Sequence, residues 1–454
     1  MIKKIPDAVV IVFSILVIMT ILTWIVPAGS FDRIEKFGRK DIVVAGSYHS
    51  VEQSPQSAWD LLRAPFKGFI DAGKIIAFVL LVGGAFALVM ATGAIDAALM
   101  RLISLTRSRR KSRSLMLILL MLLFSMCGFT FGMSEESLVF VLFTIPMART
   151  MGYDVITGVA IPFVTSGVGG AAAAYNPFSV GVALEISGLP FPTGELERFI
   201  IWGILTAVTI TFILMYARRV EKNPQKSLLA GLPELTHLSS VKEVPFTKQR
   251  MLVIIIFLAT LAIIPFGASL WDWDIIEVGA AFLGMGLVST LLMRTPANTL
   301  VKHFTDGATG MLTAAIVICL SRSVLVVARD GQIIDTILFH LSSGISALPK
   351  EISVNVMFIV QGLINFFIPS GSGQAAITMP VMAPLADLIG LTRESAVLAF
   401  QLAAGFFDLI IPTSGVTMGV LAIAGIPFNL WLKWIWKLML LWVIIAMVFL
   451  AVMV

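Results

Sequence analysis

Four short stretches of this 454-residue chain join polar side chains to backbone that cannot stay helical. They are "MSEES" (133–137), "TSGVGGAAAAYNPFS" (165–179), "PSGSG" (369–373) and "DLIIPTSG" (408–415). Proline and glycine end helices there, which leaves N–H groups that attract anions and carbonyls that attract cations. Glu135 and Glu136 add two adjacent carboxylates, which resist ionising together and can therefore trade a proton. Asp408 opens the last stretch, Thr165 and Ser166 open the second, and Arg322 supplies a lone cation elsewhere in an apolar run. Such groups suit the holding of a small charged solute. They do not suit covalent chemistry. His49, His237, His303 and His340 stand apart with neither metal-ligand spacing nor a serine partner, and Cys127 and Cys319 are far apart in apolar runs. "GVGGAAAAY" follows no strand and lacks the Lys-Ser/Thr of a phosphate loop, so close helix packing is the plainer reading of its small residues.

The surroundings of these stretches are a membrane. The chain is 58% hydrophobic and 13% charged, with mean hydropathy +0.97, against roughly 25% charged residues in soluble domains. Runs long enough to cross a bilayer fall at about 7–28, 74–99, 155–190, 197–217, 250–268, 275–293, 307–328, 395–426 and 434–454. The first of these lacks a convincing cleavage site and reads as a crossing. Two more apolar stretches, about 115–150 and 351–388, are interrupted midway and read as re-entrant hairpins. The expected fold is therefore an all-α polytopic membrane protein of about nine transmembrane helices plus two hairpins. Placing the N-terminus in the cytoplasm puts Lys3, Lys4, the basic run "RLISLTRSRRKSRS", Arg149, Arg218 and Arg219 inside. Arg33, Arg39, Arg63 and Arg198 then lie outside. The basic excess falls inside, as the positive-inside rule requires, and turning either hairpin into a crossing worsens the balance.

The chain also resembles itself. Residues 69–99 resemble 304–338, 134–152 resemble 369–390, and 176–191 resemble 412–428, in the same order. The crossing count puts Asp71 outside and Asp306 inside, so the halves run oppositely through the bilayer: an inverted repeat, the pattern of secondary transporters. The first repeat covers 1–217, with a hairpin entering from the cytoplasm. Residues 218–249 form a cytoplasmic linker, and the second repeat covers 250–454, with a hairpin entering from outside. Irregular backbone at membrane depth is tolerated only where protein or a water-filled cavity surrounds it. The four breaks are thus expected to converge at the midplane. Charges at that depth cost about 2.5–3.5 kcal/mol each, so Glu135, Glu136, Asp408 and Arg322 must pair, carry protons or face a polar cavity. A structural pair of Arg322 with Glu135 or Glu136 is one expectation. Glu185, in the outer half of its crossing, carries little weight. The 29–73 segment is expected to hold an amphipathic stretch around Ala58–Ile70 lying along the outer surface.

"FGMSEES", "YNPFSVGVA", "PSGSGQAAITMPVMAPLAD" and "FQLAAGFFDLIIPTSG" resemble the YfcC-type branch of the C4-dicarboxylate anaerobic carrier-like family. That branch is also classed with basic amino acid antiporters, within the ion transporter superfamily. The resemblance runs over nearly the whole chain. It implies a bacterial inner-membrane carrier with a static scaffold domain, a transport domain that slides as an elevator, and a homodimer. Carried over by motif, the binding positions are Ser134, Glu135, Glu136 and Ser137 at one tip. Asn176, Ser370, Gly371, Ser372, Gly373, Thr413 and Ser414 come from the other breaks. One departure stands out. Members of the family commonly carry an acid at the position of Ala404 and a polar residue at that of Asp408, so here the carboxylate sits one helical turn further on.

The function expected is secondary active transport, ion-coupled or by exchange, of a small carboxylate-bearing metabolite. Serine hydroxyls and helix N-termini would hold the carboxylate, and the glutamates a cation or amine. Paired acids suit an amino acid, including a basic one. A C4-dicarboxylate would need a positive partner, for which Arg322 is the deep candidate. No cofactor and no nucleic-acid partner is expected; the partners are the solute, the lipid bilayer and a coupling ion, Na⁺ or H⁺, with Na⁺ at the hairpin tips. A passive channel and an intramembrane hydrolase are remote alternatives. Pseudo-symmetric hairpins are superfluous in the first, and the second lacks a nucleophile–base pair.

Overall fold

Proline, glycine and the buried polar residues, more than the apolar runs, decide where the helices of this chain stop. The computed structural model describes residues 8–36, 39–44, 46–98, 101, 110–231, 244–271, 273–343 and 348–453. The basic run at 102–109, Lys3, Lys4 and the middle of the 218–249 linker lie outside the described residues. Among the described residues six helices are long and apolar enough to cross a membrane: Gly73–Ala91, Arg113–Phe131, Glu195–Lys222, Ile275–Leu292, Leu312–Asp330 and Phe428–Val452. The fold is all-α and membrane-spanning, and the many exposed large apolar side chains on these helices face lipid.

Two helical hairpins are present. The first joins Arg110–Phe131 to Ser137–Thr150. Its two ends meet, because Arg113 Nη1 donates to the carbonyl of Met151 at 3.5 Å. The second joins Lys350–Phe367 to Gly371–Leu388. Gln374 on its returning arm bonds both Gln361 and Asn365 on the outgoing one. Ile368 and Pro369 leave the helix here, and Ser370 restarts it by accepting from Gly373 N at 3.4 Å.

Each hairpin is followed by a broken helix. Val155–Ala171 ends in the glycine–alanine run, and Pro177–Ile186 begins one side chain after Asn176, whose Oδ1 caps Phe178 N at 2.9 Å. Both pieces contain π-helical turns, at Ala160–Val164 and Pro177–Gly181, a backbone variant that occurs often at functional sites. Arg393–Asp408 likewise gives way to Gly415–Ala424, with Ser414 as the cap. The crossings expected at 155–190 and 395–426, each with a break midway, are each two short helices. Pro177 and Pro412 lack the N–H that would carry the first helix into the second.

The outgoing arm Arg110–Phe131 packs on Thr165–Ala171, and Lys350–Phe367 packs on Arg393–Asp408. Those two broken helices then pack on each other. The returning arm of each hairpin lies against the short helix beyond the other half's break, Ser137–Thr150 on Gly415–Ala424 and Gly371–Leu388 on Val182–Ile186. A Cβ on Gly169 would lie 2.0 Å from the Ser125 carbonyl, and one on Gly405 2.4 Å from Ala171 Cα. The small residues of "GVGGAAAA" therefore serve close helix packing, and Gly167 and Gly170 of the same run also border the cavity described below.

A second body is built from two bent arms. Ala58–Asp71 and Gly73–Ala91 form one, Ala297–Gly310 and Leu312–Asp330 the other, and they cross, each short helix packing on the other's long one. The stretch at 58–71 is helical as expected, but it does not simply lie along the surface. Ala64 and Gly68 are buried against Leu312–Asp330, where a Cβ on Gly68 would meet Ser323 Oγ at 2.3 Å. Ser57 and Asp60 form a capping box at its start, and those bonds hold the Asp60 carboxyl below its ordinary value. Ahead of it are two small two-stranded sheets: Gly29–Ser30 with His49–Ser50, packed on Ile334–Ser343, and Arg33–Lys36 with Arg39–Val43, packed on the Gly371–Leu388 arm. Arg33 pins them by a two-pronged bond to Asp335 at 2.8 and 2.9 Å. The loop carried no periodic signal that would have announced these strands.

Candidate functional site

The four breaks meet at one cavity of about 310 Å³. Ser134 and Glu135 of the first tip line it, as do Pro369, Ser370, Gly371 and Ser372 of the second. Ser166, Asn176, Phe178 and Ser179 come from the first broken helix, and Asp408, Thr413, Ser414 and Gly415 from the second. Arg322 and Ser321 enter from the Leu312–Asp330 helix. Eleven of the fifteen residues singled out from the sequence are in this wall: Ser134, Glu135, Ser166, Asn176, Arg322, Ser370, Gly371, Ser372, Asp408, Thr413 and Ser414.

Four are not. Ser137 is fully buried, with its Oγ 3.2 Å from that of Ser166. Thr165 turns its hydroxyl back to the Ile161 carbonyl. Glu136 folds over the tip, where its carboxylate accepts from Ser134 N at 3.1 Å. Gly373 lies behind Ser370 and borders a second, outer cavity of about 900 Å³. Ser137 and Gly373 share a cause. A helix restarting after a tip presents only part of its first turn to the cavity, while residues one or three positions on face the protein.

The tips are fitted to the breaks by glycine. Gly132 has φ +78°, and a Cβ there would lie 2.1 Å from Asn176 Nδ2. A Cβ on Gly371 would lie 2.9 Å from that of Ser179. Asn176 therefore caps its own helix, supports the first tip, and gives its amide to Ser179 Oγ at 2.7 Å.

Arg322 pairs with neither glutamate. Its Nε bonds the carboxylate of Asp71, the last residue of the Ala58–Asp71 helix, while Arg329 reaches the same carboxylate at 3.9 Å. Sequence alone does not reveal this partner, because an amphipathic stretch at 58–71 reads as a surface element. Glu135 forms no ion pair among the described residues, but stands within electrostatic reach of both Arg322 and Asp408. Asp408 lies against the Ser414 hydroxyl, and its own carbonyl accepts from Thr417. Arg198 is buried, with Nη1 donating to the Ala173 carbonyl at 2.9 Å. It satisfies backbone freed by the first break.

Several residues of the wall were not picked out from the sequence: Ser179, Ser321, Asn365 and Gln401. A signal existed for two of them. Gln401 shares a helix face with Ala404 and Asp408, and Asn365 sits four residues after Gln361 in an otherwise apolar run. Gln401 Oε1, Asn365 Oδ1 and Ser321 Oγ are buried and have no hydrogen-bond partner. Each such group costs about 1–3 kcal/mol while it stays unpaired.

The outer cavity shares Arg322, Leu325, Ser370 and Ser372 with the inner one, and adds Arg33, Arg329 and Asp335. The second tip thus borders both cavities. Among the described residues no cluster of three His, Cys, Asp or Glu could hold a metal, and both cysteines are free thiols.

Residues 5–454 match the model of the C4-dicarboxylate anaerobic carrier family, DcuC. The chain is 34% identical to a protein of Escherichia coli K12 described as a putative basic amino acid antiporter, YfcC, over 94% of this chain and 92% of that protein. It is 26% identical to an uncharacterized protein of Haemophilus influenzae over 95% of this chain and 93% of that one. Among solved structures the Alcanivorax borkumensis YdaH transporter aligns at 16% identity over 98% of both chains, with a TM-score of 0.43.

Proposed function

The chain belongs to the C4-dicarboxylate anaerobic carrier family, and from that premise we propose that it carries a small carboxylate-bearing amino acid across the membrane by an elevator motion. As a family member it is a multi-pass transporter of small metabolites in the bacterial inner membrane, and not an enzyme. The observation that carries the finer reading is the cavity itself: two hairpin tips and two helix breaks, from opposite halves of the chain, enclose one polar chamber.

An inverted repeat accounts for that convergence. The same succession of bent arm, hairpin, broken helix and long helix recurs, and each returning arm rests on the other half's short helix. The two bent arms, with Ile275–Leu292, would be the scaffold. The hairpins and broken helices, closed on each other through glycine and alanine, would be the transport domain that moves past it. The interface between them is mainly Leu312–Asp330 against Gly415–Ala424. A homodimer joined through the scaffold is part of this reading.

Charge favours an amine-bearing solute. Glu135 and Asp408 face the chamber, while the positive charge of Arg322 is taken by Asp71. The YfcC relative's name, basic amino acid antiporter, points the same way. A C4-dicarboxylate is the second reading. It is favoured by the family's name and by Arg33, Arg322 and Arg329 around the outer vestibule.

Counterflow in proteoliposomes tests the proposal. Vesicles preloaded with arginine, ornithine or lysine are expected to take up the labelled amino acid saturably, and those preloaded with succinate are not. The same assay with and without Na⁺, and with an imposed pH gradient, identifies the coupling ion. Flux that never saturates, with single-channel conductance in a planar bilayer, would overturn the carrier reading.

A further inference from the structure

The orientations of three side chains in the chamber wall are fixed by groups that can act in only one sense. Gln401 donates its Nε2 to the backbone carbonyl of Gly170 at 2.6 Å. A carbonyl cannot donate, so the amide cannot be flipped, and Oε1 is the atom left without a partner. Gln374 is held likewise. Its Nε2 donates to the Gln361 carbonyl at 2.8 Å, so its Oε1 must accept, and it accepts from Asn365 Nδ2 at 2.9 Å. That leaves Asn365 Oδ1 bare. Gln401 is 3% exposed and Asn365 2%, and both line the chamber.

The third side chain is Ser179. Its Oγ accepts from Asn176 Nδ2 at 2.7 Å and from Gln401 Nε2 at 2.9 Å. Asn176 is itself fixed, because its Oδ1 receives Phe178 N. A hydroxyl has two lone pairs and one hydrogen. With both lone pairs engaged, Ser179 has only its O–H left to offer a solute.

We propose that Ser179 and Gln401 form the end of the chamber that reads an α-amino acid head group, the Ser179 hydroxyl donating to the carboxylate and the bare oxygens of Gln401 and Asn365 accepting from the ammonium. The proposal rests on the amino acid reading of the chamber and locates it. A dicarboxylate has no donor at neutral pH for those two oxygens, and would leave both unpaired beside it. The far end follows from helix geometry. Gln401 and Asp408 lie seven residues apart on one face, about 10 Å along the axis. The Asp408 and Glu135 end is therefore placed to meet a second cationic group on an elongated solute.

The test is a matched ligand panel on the purified full-length protein, read by thermal shift and by competition. Ornithine is paired with 5-aminopentanoate and lysine with 6-aminohexanoate, each analogue lacking only the α-ammonium, and succinate completes the set. The wild type is expected to bind each amino acid at least about 10-fold more tightly than its analogue, since a site built around a hydrogen bond rejects the ligand that lacks it. Gln401→Leu and Asn365→Leu are each expected to bring that ratio towards one. The wild-type ratio needs no variant, so a misfolded mutant does not remove the test. Equal binding of an amino acid and its analogue overturns the assignment, as does succinate binding as tightly as either amino acid. So does stabilisation by Na⁺ alone that both variants abolish while the wild-type ratio is one, because the oxygens would then hold the coupling ion. The carrier reading fails separately, if proteoliposomes show no saturable counterflow with any of these solutes.

Discussion

Asp71 holds Arg322: the carboxylate at the end of the Ala58–Asp71 helix accepts from the guanidinium that lines the chamber. Both partners are about 30% exposed, so the pair is half-buried and neither charge is lost to water. Its consequence is electrical. The one arginine in the chamber wall that could neutralise a dianion is already neutralised by Asp71, which leaves Glu135 and Asp408 to set the sign. Asp71→Asn releases that cation. The variant is expected to bind succinate more tightly and basic amino acids more weakly than the wild type, about 10-fold in the ratio of the two. Competition against a labelled amino acid measures it, and an unchanged ratio would show that Arg322 has no say in selectivity.

The two glutamates of the first tip have separable roles in the structure. Glu135 faces the chamber, whereas Glu136 braces the tip by accepting from Ser134 N. Glu135→Gln is expected to abolish gradient-driven uptake in proteoliposomes with little change in melting temperature. Glu136→Gln retains a carbonyl acceptor for Ser134 and is expected to keep measurable uptake. The opposite pattern, with uptake lost only in the Glu136 variant, would assign the coupling role to Glu136.

Much of this arrangement was legible in the sequence, and the parts that were not share a reason. The hairpins, the breaks and eleven of the wall residues follow from proline, glycine and small polar groups inside apolar runs, since hydrocarbon punishes unpaired backbone wherever it occurs. Pair identities did not follow. Shared membrane depth offers Glu135 or Glu136 as partners of Arg322, yet the arm carrying Asp71 crosses over the Leu312–Asp330 helix. A charge count gives Arg198 a side of the membrane but not its partner, the Ala173 carbonyl that the first break leaves free. Ser179 and Gln401 went unnoticed because each is unremarkable alone. Their meaning arises from a bond between residues 222 positions apart.

Glycine at the first tip gives a sharp stability contrast. Gly132 combines φ +78° with an Asn176 amide that would sit 2.1 Å from any Cβ. Gly310 ends the Ala297–Gly310 helix with nothing within 4 Å of its Cβ position. Gly132→Ala is expected to destabilise the detergent-solubilised protein by about 1–3 kcal/mol and to reduce transport by shifting Asn176. Gly310→Ala should be neutral or slightly stabilising, through the entropy of the unfolded chain. Similar melting temperatures for the two variants would mean that the tip and Asn176 are not in contact in the membrane.

The proposed inverted repeat and elevator make a geometric demand that labelling can meet or refuse. If both tips border one chamber, single cysteines at Ser134 and Ser372 must share a solvent pathway, and one bound solute must shield both. With Cys127 and Cys319 replaced by serine, each variant is treated with a small methanethiosulfonate from one side of oriented vesicles, with and without the amino acid that counterflow identifies. Both positions are expected to react more slowly when that solute is present. Because the transport domain would carry the two tips together, reagent on a single side should reach both as the carrier cycles. Fixed exposure of Ser134 on one membrane surface and of Ser372 on the other, with neither shielded by the solute, would separate the two tips. The chamber would then be a packing void, and the carrier mechanism built on it would fail.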